Sequence, residues 1–206
     1  MTRIAVLVSG GGTNLQKLID CHHSLSGEIV CVVSSNPNAY AMERARAAGI
    51  PVIMHRKTKR ITREEYTCQL IDLLAAHSVD LVVFCGFLVI LDEAFIQAYP
   101  NRILNIHPSL LPAFGGVGCY GIYVHEMALA RGVKVTGATV HFVNEIVDGG
   151  PIVLQKSVEV LQDDTPATLQ KRVMEMAEWV ILPLAVRLFC EGRLLVENNI
   201  VHIQEA

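Results

Sequence analysis

The chain has 206 residues, of which 51% are hydrophobic and 18% charged, a composition that suits a compact domain with a buried core. Its 17 basic and 20 acidic residues give a formal net charge of −3, and no run of Lys and Arg is long enough to follow a nucleic-acid backbone. The six cysteines form no C-x-x-C pair, so zinc binding of that type is not indicated. No stretch reaches the roughly 20 apolar residues that a membrane-spanning helix needs. We expect a cytoplasmic protein with no metal and no nucleic-acid or membrane partner.

Apolar runs rich in β-branched residues alternate with stretches of helical spacing in the first hundred residues. The predicted strands are Ile4–Val8, Ile29–Val33, Val52–Met54, Leu81–Phe84 and Ile103–Ile106. The predicted helices are Leu15–Cys21, Ala39–Ala48, Arg63–Ala76 and Glu93–Tyr99. Strands that are apolar throughout are buried on both faces, as in a parallel sheet covered by helices. This predicts a doubly wound α/β fold, with a mainly parallel Rossmann-like sheet and helices on both faces.

The second half is more mixed. A helix is predicted over 124–131 and a strand-like run over 135–143, followed by a turn at Asp148-Gly149-Gly150-Pro151 and a strand over 152–158. The two strands are expected to form a hairpin-like pair around a functional loop. Thr165 and Pro166 fit the cap and first position of a long helix that reaches about Cys190. Two short strands near the C-terminus follow it.

A glycine loop, Ser9-Gly10-Gly11-Gly12-Thr13-Asn14, follows the first predicted strand and precedes a helix. Its backbone N–H groups and the helix dipole can converge on an anion. No lysine follows the glycines, and Leu15 stands where a dinucleotide fingerprint has its third glycine. A single phosphate monoester is therefore the expected ligand. The alternative is a tight turn that needs glycine only for its backbone angles.

An amide and an imidazole lie two residues apart at the end of the fifth predicted strand. Alternation along an extended chain points Asn105 and His107 to the same side, which places an oxyanion donor beside a group that can exchange a proton. Open α/β sheets bind their ligands at the carboxyl ends of strands. A histidine with a purely structural role is the alternative.

Further motifs extend over nearly the whole chain, from Ile4 to about Val196. They are Ser9-Gly-Gly-Gly-Thr-Asn, Glu43-Arg-Ala-Arg-Ala-Ala-Gly, Cys85-Gly-Phe, Asn105-Ile-His-Pro-Ser-Leu-Leu-Pro, Val140-His-Phe-Val and Asp148-Gly-Gly-Pro. In these motifs the sequence resembles the glycinamide ribonucleotide formyltransferases. The resemblance implies that 10-formyltetrahydrofolate, as co-substrate, donates a formyl group to the amine of glycinamide ribonucleotide in purine synthesis.

The resemblance also implies roles for particular residues. Asn105, His107 and Asp148 would form the catalytic group, with Asp148 orienting His107 and favouring its charged form. The substrate phosphate would be held by Gly12, Thr13 and Asn14, and Glu178 would lie near the substrate amine and sugar. Folate would contact Arg63, Asn105 and the backbone of Leu88, Val89, Ile90 and Leu91. His141 is a candidate for a supporting role.

One formyltransferase domain is expected over residues 1–206, with a phosphate-binding half at 1–100 and a catalytic and folate-binding half at 101–206. A homodimer is left open. Other functions remain to be distinguished, namely a formyltetrahydrofolate hydrolase, a methionyl-tRNA formyltransferase and a non-catalytic phosphosugar- or folate-binding module. The charge balance disfavours the tRNA enzyme. The stretch 115–124 is longer than in short members of the family and is expected to be either a lid or a surface elaboration.

Overall fold

A computed structural model of the chain describes residues 1–205. Its strands are β1 Thr2–Val8, β2 Gly27–Ser34, β3 Val52–Met54, β4 Leu81–Cys85, β5 Ile103–His107, β6 Val135–Phe142, β7 Ile152–Glu159, β8 Leu194–Glu197 and β9 Ile200–Ile203. Its α-helices are α1 Thr13–Asp20, α2 Ala41–Ala47, α3 Arg63–Ala76, α4 Glu93–Ala98, α5 Ile122–Arg131, α6 Pro166–Val173 and α7 Trp179–Cys190. A 3-10 turn at His22–Ser24 and a π-helical turn at Met174–Glu178 are also present.

Seven strands form one sheet in the order β3-β2-β1-β4-β5-β6-β7, and β8 and β9 form a separate antiparallel pair. β1 is parallel to β2 and β4, and β2 is parallel to β3. Because strand–helix–strand crossovers are right-handed, the reversal of direction after β3 places α1 and α2 on one face of the sheet and α3 and α4 on the other. The predicted doubly wound, mainly parallel α/β fold is confirmed.

The chain divides into two compact units, Met1–Leu104 and the residues from Asn105 onward. In the first unit, every residue of β1 from Ile4 to Val8 is fully buried, as expected of a central parallel strand. In the second unit, β6 and β7 run antiparallel, so the predicted pairing of these two segments is confirmed. β6 is buried from Thr136 to Phe142, and several apolar residues of α6 and α7 are buried as well.

Local capping chemistry sets several helix ends. Thr62 forms a reciprocal capping box with Glu65 at the start of α3, and Thr165 does the same with Thr168 at the start of α6. Gly49, with φ +71, follows the end of α2 and allows the left-handed turn that closes the helix. The predicted cap at Thr165 is therefore confirmed.

The long helix predicted from Thr165 to about Cys190 is present, but it is not α-helical throughout. Residues Met174–Glu178 form a π-helical turn between α6 and α7. Apolar periodicity does not distinguish one extra residue in a turn from regular helix, which is why the pattern missed it. π-turns of this kind often occur at functional positions, and this one includes Glu178.

Candidate active site

Four polar side chains of the second unit meet beside the carboxyl end of β5. Nδ2 of Asn105 lies 3.0 Å from Nε2 of His141, and Oδ1 of Asp148 lies 3.6 Å from the same ring nitrogen. Oδ2 of Asp148 lies 3.5 Å from Nδ1 of His107. The structure thus brings together the three residues predicted to be catalytic and adds His141, which contacts two of them. We call these four residues the polar cluster.

His141 fixes the orientation of the Asn105 amide. Its Nδ1 lies 2.8 Å from the carbonyl oxygen of Phe142, and a carbonyl oxygen only accepts, so Nδ1 carries a hydrogen. In the neutral ring Nε2 is then an acceptor, and the NH₂ group of Asn105 donates to it. The second hydrogen of that NH₂ group can serve as a donor to an oxyanion.

The hydrogen of the neutral His107 ring is directed away from Asp148. Nε2 of His107 donates to the carbonyl oxygen of Phe114 at 2.9 Å, which leaves a lone pair on Nδ1 facing the carboxylate. Burial lowers the pKa of His107, and the Asp148 carboxylate and the Phe114 carbonyl oppose this shift without reversing it. Asp148 thus favours the charged form of His107, but the loss of hydration outweighs this attraction, so the pKa of the ring stays below its ordinary value.

Asp148 stands at a constrained turn. Its φ of +56° lies in the left-handed region, where non-glycine residues are uncommon. A Cβ on Gly150 would lie 1.9 Å from the carbonyl oxygen of Phe142, so the turn requires glycine there. Burial alone would raise the pKa of the Asp148 carboxyl, but the rings of His141 and His107, which attract the carboxylate when they are protonated, and the N–H of Gly116 leave it lowered. Asp148 is therefore a carboxylate at neutral pH.

The segment 114–121 is attached to the polar cluster at one end. The carbonyl of Phe114 accepts from His107, and the N–H of Gly116 donates to Oδ2 of Asp148 at 2.9 Å. Farther along, Val117 is 80% exposed, and the rings of Tyr120 and Tyr123 meet edge to face with centroids 5.5 Å apart. The stretch thus combines contacts to His107 and Asp148 with an exposed apolar surface.

His125 is a buried residue that sequence reasoning did not single out. It lies on the buried side of α5 with Val124 and Ala128, and within residues 1–205 neither ring nitrogen has a hydrogen-bond partner. Burial lowers its pKa to about 4, and the charge of His107 contributes in the same direction. Helical spacing from the apolar Val124, Ala128 and Leu129 could have indicated a histidine on the core side.

The glycine loop of the first unit combines one required glycine with two unconstrained ones. Gly12, the N-cap of α1, has φ +72° and provides no side-chain cap, and a Cβ there would lie 2.5 Å from Cβ of Ala41. Gly10 and Gly11 have no positive φ, and a Cβ on either would meet nothing within 4 Å. The tight-turn alternative therefore accounts for Gly12 but not for its two neighbours.

The comparison with known proteins identifies the family. A family model described as formyl transferase matches residues 2–186. The chain belongs to this formyl transferase family. It is similar to the phosphoribosylglycinamide formyltransferase of Haemophilus influenzae, with 40% identity over 205 residues, or 98% of this chain and 94% of that relative. It is 42% identical over 195 residues to the chloroplastic phosphoribosylglycinamide formyltransferase of Arabidopsis thaliana, covering 93% of this chain and 66% of the relative.

A solved structure supports the same assignment. The glycinamide ribonucleotide transformylase 1 from Symbiobacterium toebii superimposes with a TM-score of 0.93 at 43% identity, over 100% of this chain and 95% of that one. The resemblance drawn from the motifs is therefore confirmed.

In this formyl transferase, the residues expected to bind folate lie in the first unit, except for Asn105, which belongs to the second. Arg63 is the first residue of α3, and its Nη2 lies 3.4 Å from Oδ2 of Asp92. Residues 88–91, which we call the folate segment, connect β4 to α4 without regular structure. Leu88 and Ile90 are exposed, and the N–H of Leu88 donates to Oγ of Ser9 at 3.0 Å. The N–H of Leu88 is thus already engaged, so any backbone contact from this residue would use its carbonyl.

The remaining predicted substrate residues belong to different units. Gly12, Thr13 and Asn14 lie in the first unit, whereas Glu178 lies in the second, where it is 8% exposed. Their roles stay predictions. Across residues 1–205, no group of three or more His, Cys, Asp or Glu side chains is arranged to hold a metal ion. Within the same range, no helix combines the length and the apolar character needed to span a membrane.

Proposed function

We propose that the chain transfers the formyl group of 10-formyltetrahydrofolate to the amine of glycinamide ribonucleotide, a step of de novo purine synthesis. The observation that carries this proposal is the polar cluster, in which an amide donor, two imidazoles and a carboxylate converge at strand ends. An acyl transfer to an amine needs this combination, because a tetrahedral intermediate must be stabilised and a proton must move.

In the proposed reaction the unprotonated amine attacks the formyl carbon. A bond forms between the amine nitrogen and that carbon, and the free hydrogen of Asn105 stabilises the resulting oxyanion. Nδ1 of His107 accepts the proton of the attacking nitrogen, directly or through a water, and the imidazolium is stabilised by Asp148. The bond from the formyl carbon to the folate nitrogen then breaks, and the proton passes to that nitrogen. The catalytic group is thus Asn105, His107 and Asp148, with His141 holding Asn105.

The two substrates would be bound by residues outside this group. The backbone of Gly12, Thr13 and Asn14 would hold the phosphate at the start of α1, and the open space over Gly10 and Gly11 supports an approaching ligand. Glu178 would contact the amine and sugar. Arg63 would attract the carboxylates of the folate tail, while the folate segment would contact the pterin. Asn105 would contact the formyl oxygen of the folate donor.

Proton transfer and oxyanion stabilisation are sufficient for this chemistry, so we propose that no metal takes part. The net charge of −3 supports small-molecule substrates over nucleic acid. We further propose that the protein acts in the cytoplasm, as expected from its sequence, and a homodimer is compatible with this function.

A spectrophotometric assay that follows loss of 10-formyltetrahydrofolate tests the proposal with three acceptors in parallel. We expect turnover with glycinamide ribonucleotide and little with water or methionyl-tRNA. Equal loss of the formyl donor with and without the ribonucleotide would instead identify a hydrolase. Binding of both ligands without turnover would identify a non-catalytic module.

A further inference from the structure

Ser9 links the end of β1 to the chain that follows β4. Its backbone N–H donates to the carbonyl of Gly86 at 3.1 Å, and its Oγ accepts from the N–H of Leu88 at 3.0 Å. Ser9 therefore holds this chain at two points on either side of Phe87. Because Ser9 is only 8% exposed, water competes poorly for these bonds.

Ser9 is also held from the β2 side. Its Oγ lies 2.6 Å from Oγ of Ser35, and Nδ2 of Asn36 donates to its carbonyl oxygen at 3.0 Å. Each polar group of Ser9 thus has a partner, and two neighbours fix the hydroxyl. The ends of three adjacent strands, β2, β1 and β4, meet at this residue, which is the position where the strand order reverses.

We propose that Ser9 is a positioning residue that couples the glycine loop to the folate segment. This inference rests on the proposed function, because it takes Gly12–Asn14 and residues 88–91 as the sites of the two substrates. Ser9 is the first residue of the glycine loop, and its hydroxyl holds the first residue of the folate segment. When one ligand orders its segment, part of the ordering cost of the other is removed. Each substrate should therefore raise the affinity for the other by the same factor.

Ser9→Ala removes the hydroxyl and keeps the backbone bond to Gly86. We expect the KM for 10-formyltetrahydrofolate to rise roughly two- to tenfold, the effect of one shielded hydrogen bond, with kcat nearly unchanged. Isothermal titration of glycinamide ribonucleotide with and without tetrahydrofolate measures the coupling. In the wild type the two Kd values should differ, and in Ser9→Ala their ratio should approach one.

Ser35→Ala is the matched control, because it removes the other hydroxyl at this position without touching Leu88. Its folate KM and its coupling should change less than those of Ser9→Ala, because the Ser9 hydroxyl still accepts from the N–H of Leu88. Ser9→Thr, which keeps a hydroxyl, should retain the coupling. Should Ser9→Ala fail to fold by circular dichroism, the same measurements are made on Ser9→Cys, whose thiol is a weak acceptor.

Wild-type values of folate KM and coupling in Ser9→Ala would overturn the inference, as would an equal change in Ser35→Ala. Failure of the proposed function looks different, because the wild-type chain itself would then transfer no formyl group to glycinamide ribonucleotide.

Discussion

Asp148 and His107 face each other across 3.5 Å, yet the hydrogen of the neutral His107 ring points the other way, toward Phe114. A lone pair and a carboxylate at this distance repel. Once Nδ1 takes a proton, the same two groups become an ion pair in a site with little water. The pair is therefore arranged to accept a proton from an attacking amine and to stabilise the charge that this creates.

The first prediction concerns the charge of Asp148. Asp148→Asn keeps the size of the side chain but removes the carboxylate that opposes the effect of burial on His107. We expect kcat to fall by at least about a hundredfold, both KM values to change little, and the pKa of His107, followed by NMR, to move further down. Melting temperature and kcat are measured on the same preparation. A variant that is destabilised but fully active would show that Asp148 only caps the turn.

The second prediction concerns the two residues of β5. Asn105→Ala and His107→Ala should fold normally and lose about a hundredfold or more in kcat, the usual scale for an oxyanion donor or a proton-transfer group. Single-turnover measurements with saturating substrates separate this loss from binding. Normal turnover in either variant would reject its catalytic assignment.

The third prediction concerns His141, which contacts both Asn105 and Asp148. His141→Ala leaves the Asn105 amide free to rotate, and we expect kcat to fall by about tenfold, the effect of one buried hydrogen bond. The fall should be smaller than that in Asn105→Ala. His202→Ala, which alters an exposed histidine, is the control and should be fully active. A loss in His141→Ala that appears only as a lower melting temperature would contradict the positioning role.

The sequence was sufficient for the features that depend on local chemistry. Continuous apolar runs identified the parallel strands, and Thr165 marked a helix start because capping acts over three residues. The contact of His141 with Asn105 spans 36 positions and follows from strand register, which no local pattern specifies. The charge state of His107 depends on how completely the site is buried, and that is a property of the assembled unit.

The fourth prediction separates two glycines of the glycine loop. Gly12→Ala places a Cβ 2.5 Å from Cβ of Ala41 at a positive φ, whereas Gly11→Ala meets open space. We expect Gly12→Ala to raise the KM for glycinamide ribonucleotide at least about tenfold, because it displaces the backbone N–H groups at the start of α1. Gly11→Ala keeps the backbone conformation, so the KM for glycinamide ribonucleotide should change only if the bound ligand contacts the added methyl group. Gly11→Val tests that contact with a larger side chain. Unchanged acceptor binding by calorimetry in Gly12→Ala would argue against a phosphate site here.

The last prediction concerns acid stability and His125. Burial lowers its pKa to about 4 in the folded protein, whereas an exposed histidine has a pKa of about 6.5. Above pH 6.5 the ring is neutral in both states and has no effect. As the pH falls below 6.5 the unfolded chain binds a proton that the folded chain does not, so stability is lost progressively until about pH 4.

This proton alone should cost about 2 kcal/mol by pH 5, since one pKa unit corresponds to about 1.4 kcal/mol. His125→Leu removes the titrating ring and fills a similar volume, so its unfolding free energy should fall less between pH 7.5 and pH 5 than that of the wild type. Urea unfolding at both pH values measures the difference, with His202→Leu as the exposed control. His107 is present in all three proteins, so its own effect on the pH dependence of stability is common to them and cancels when they are compared. Equal losses in the wild type and His125→Leu would mean that the ring gains a proton in the folded state as easily as in the unfolded chain.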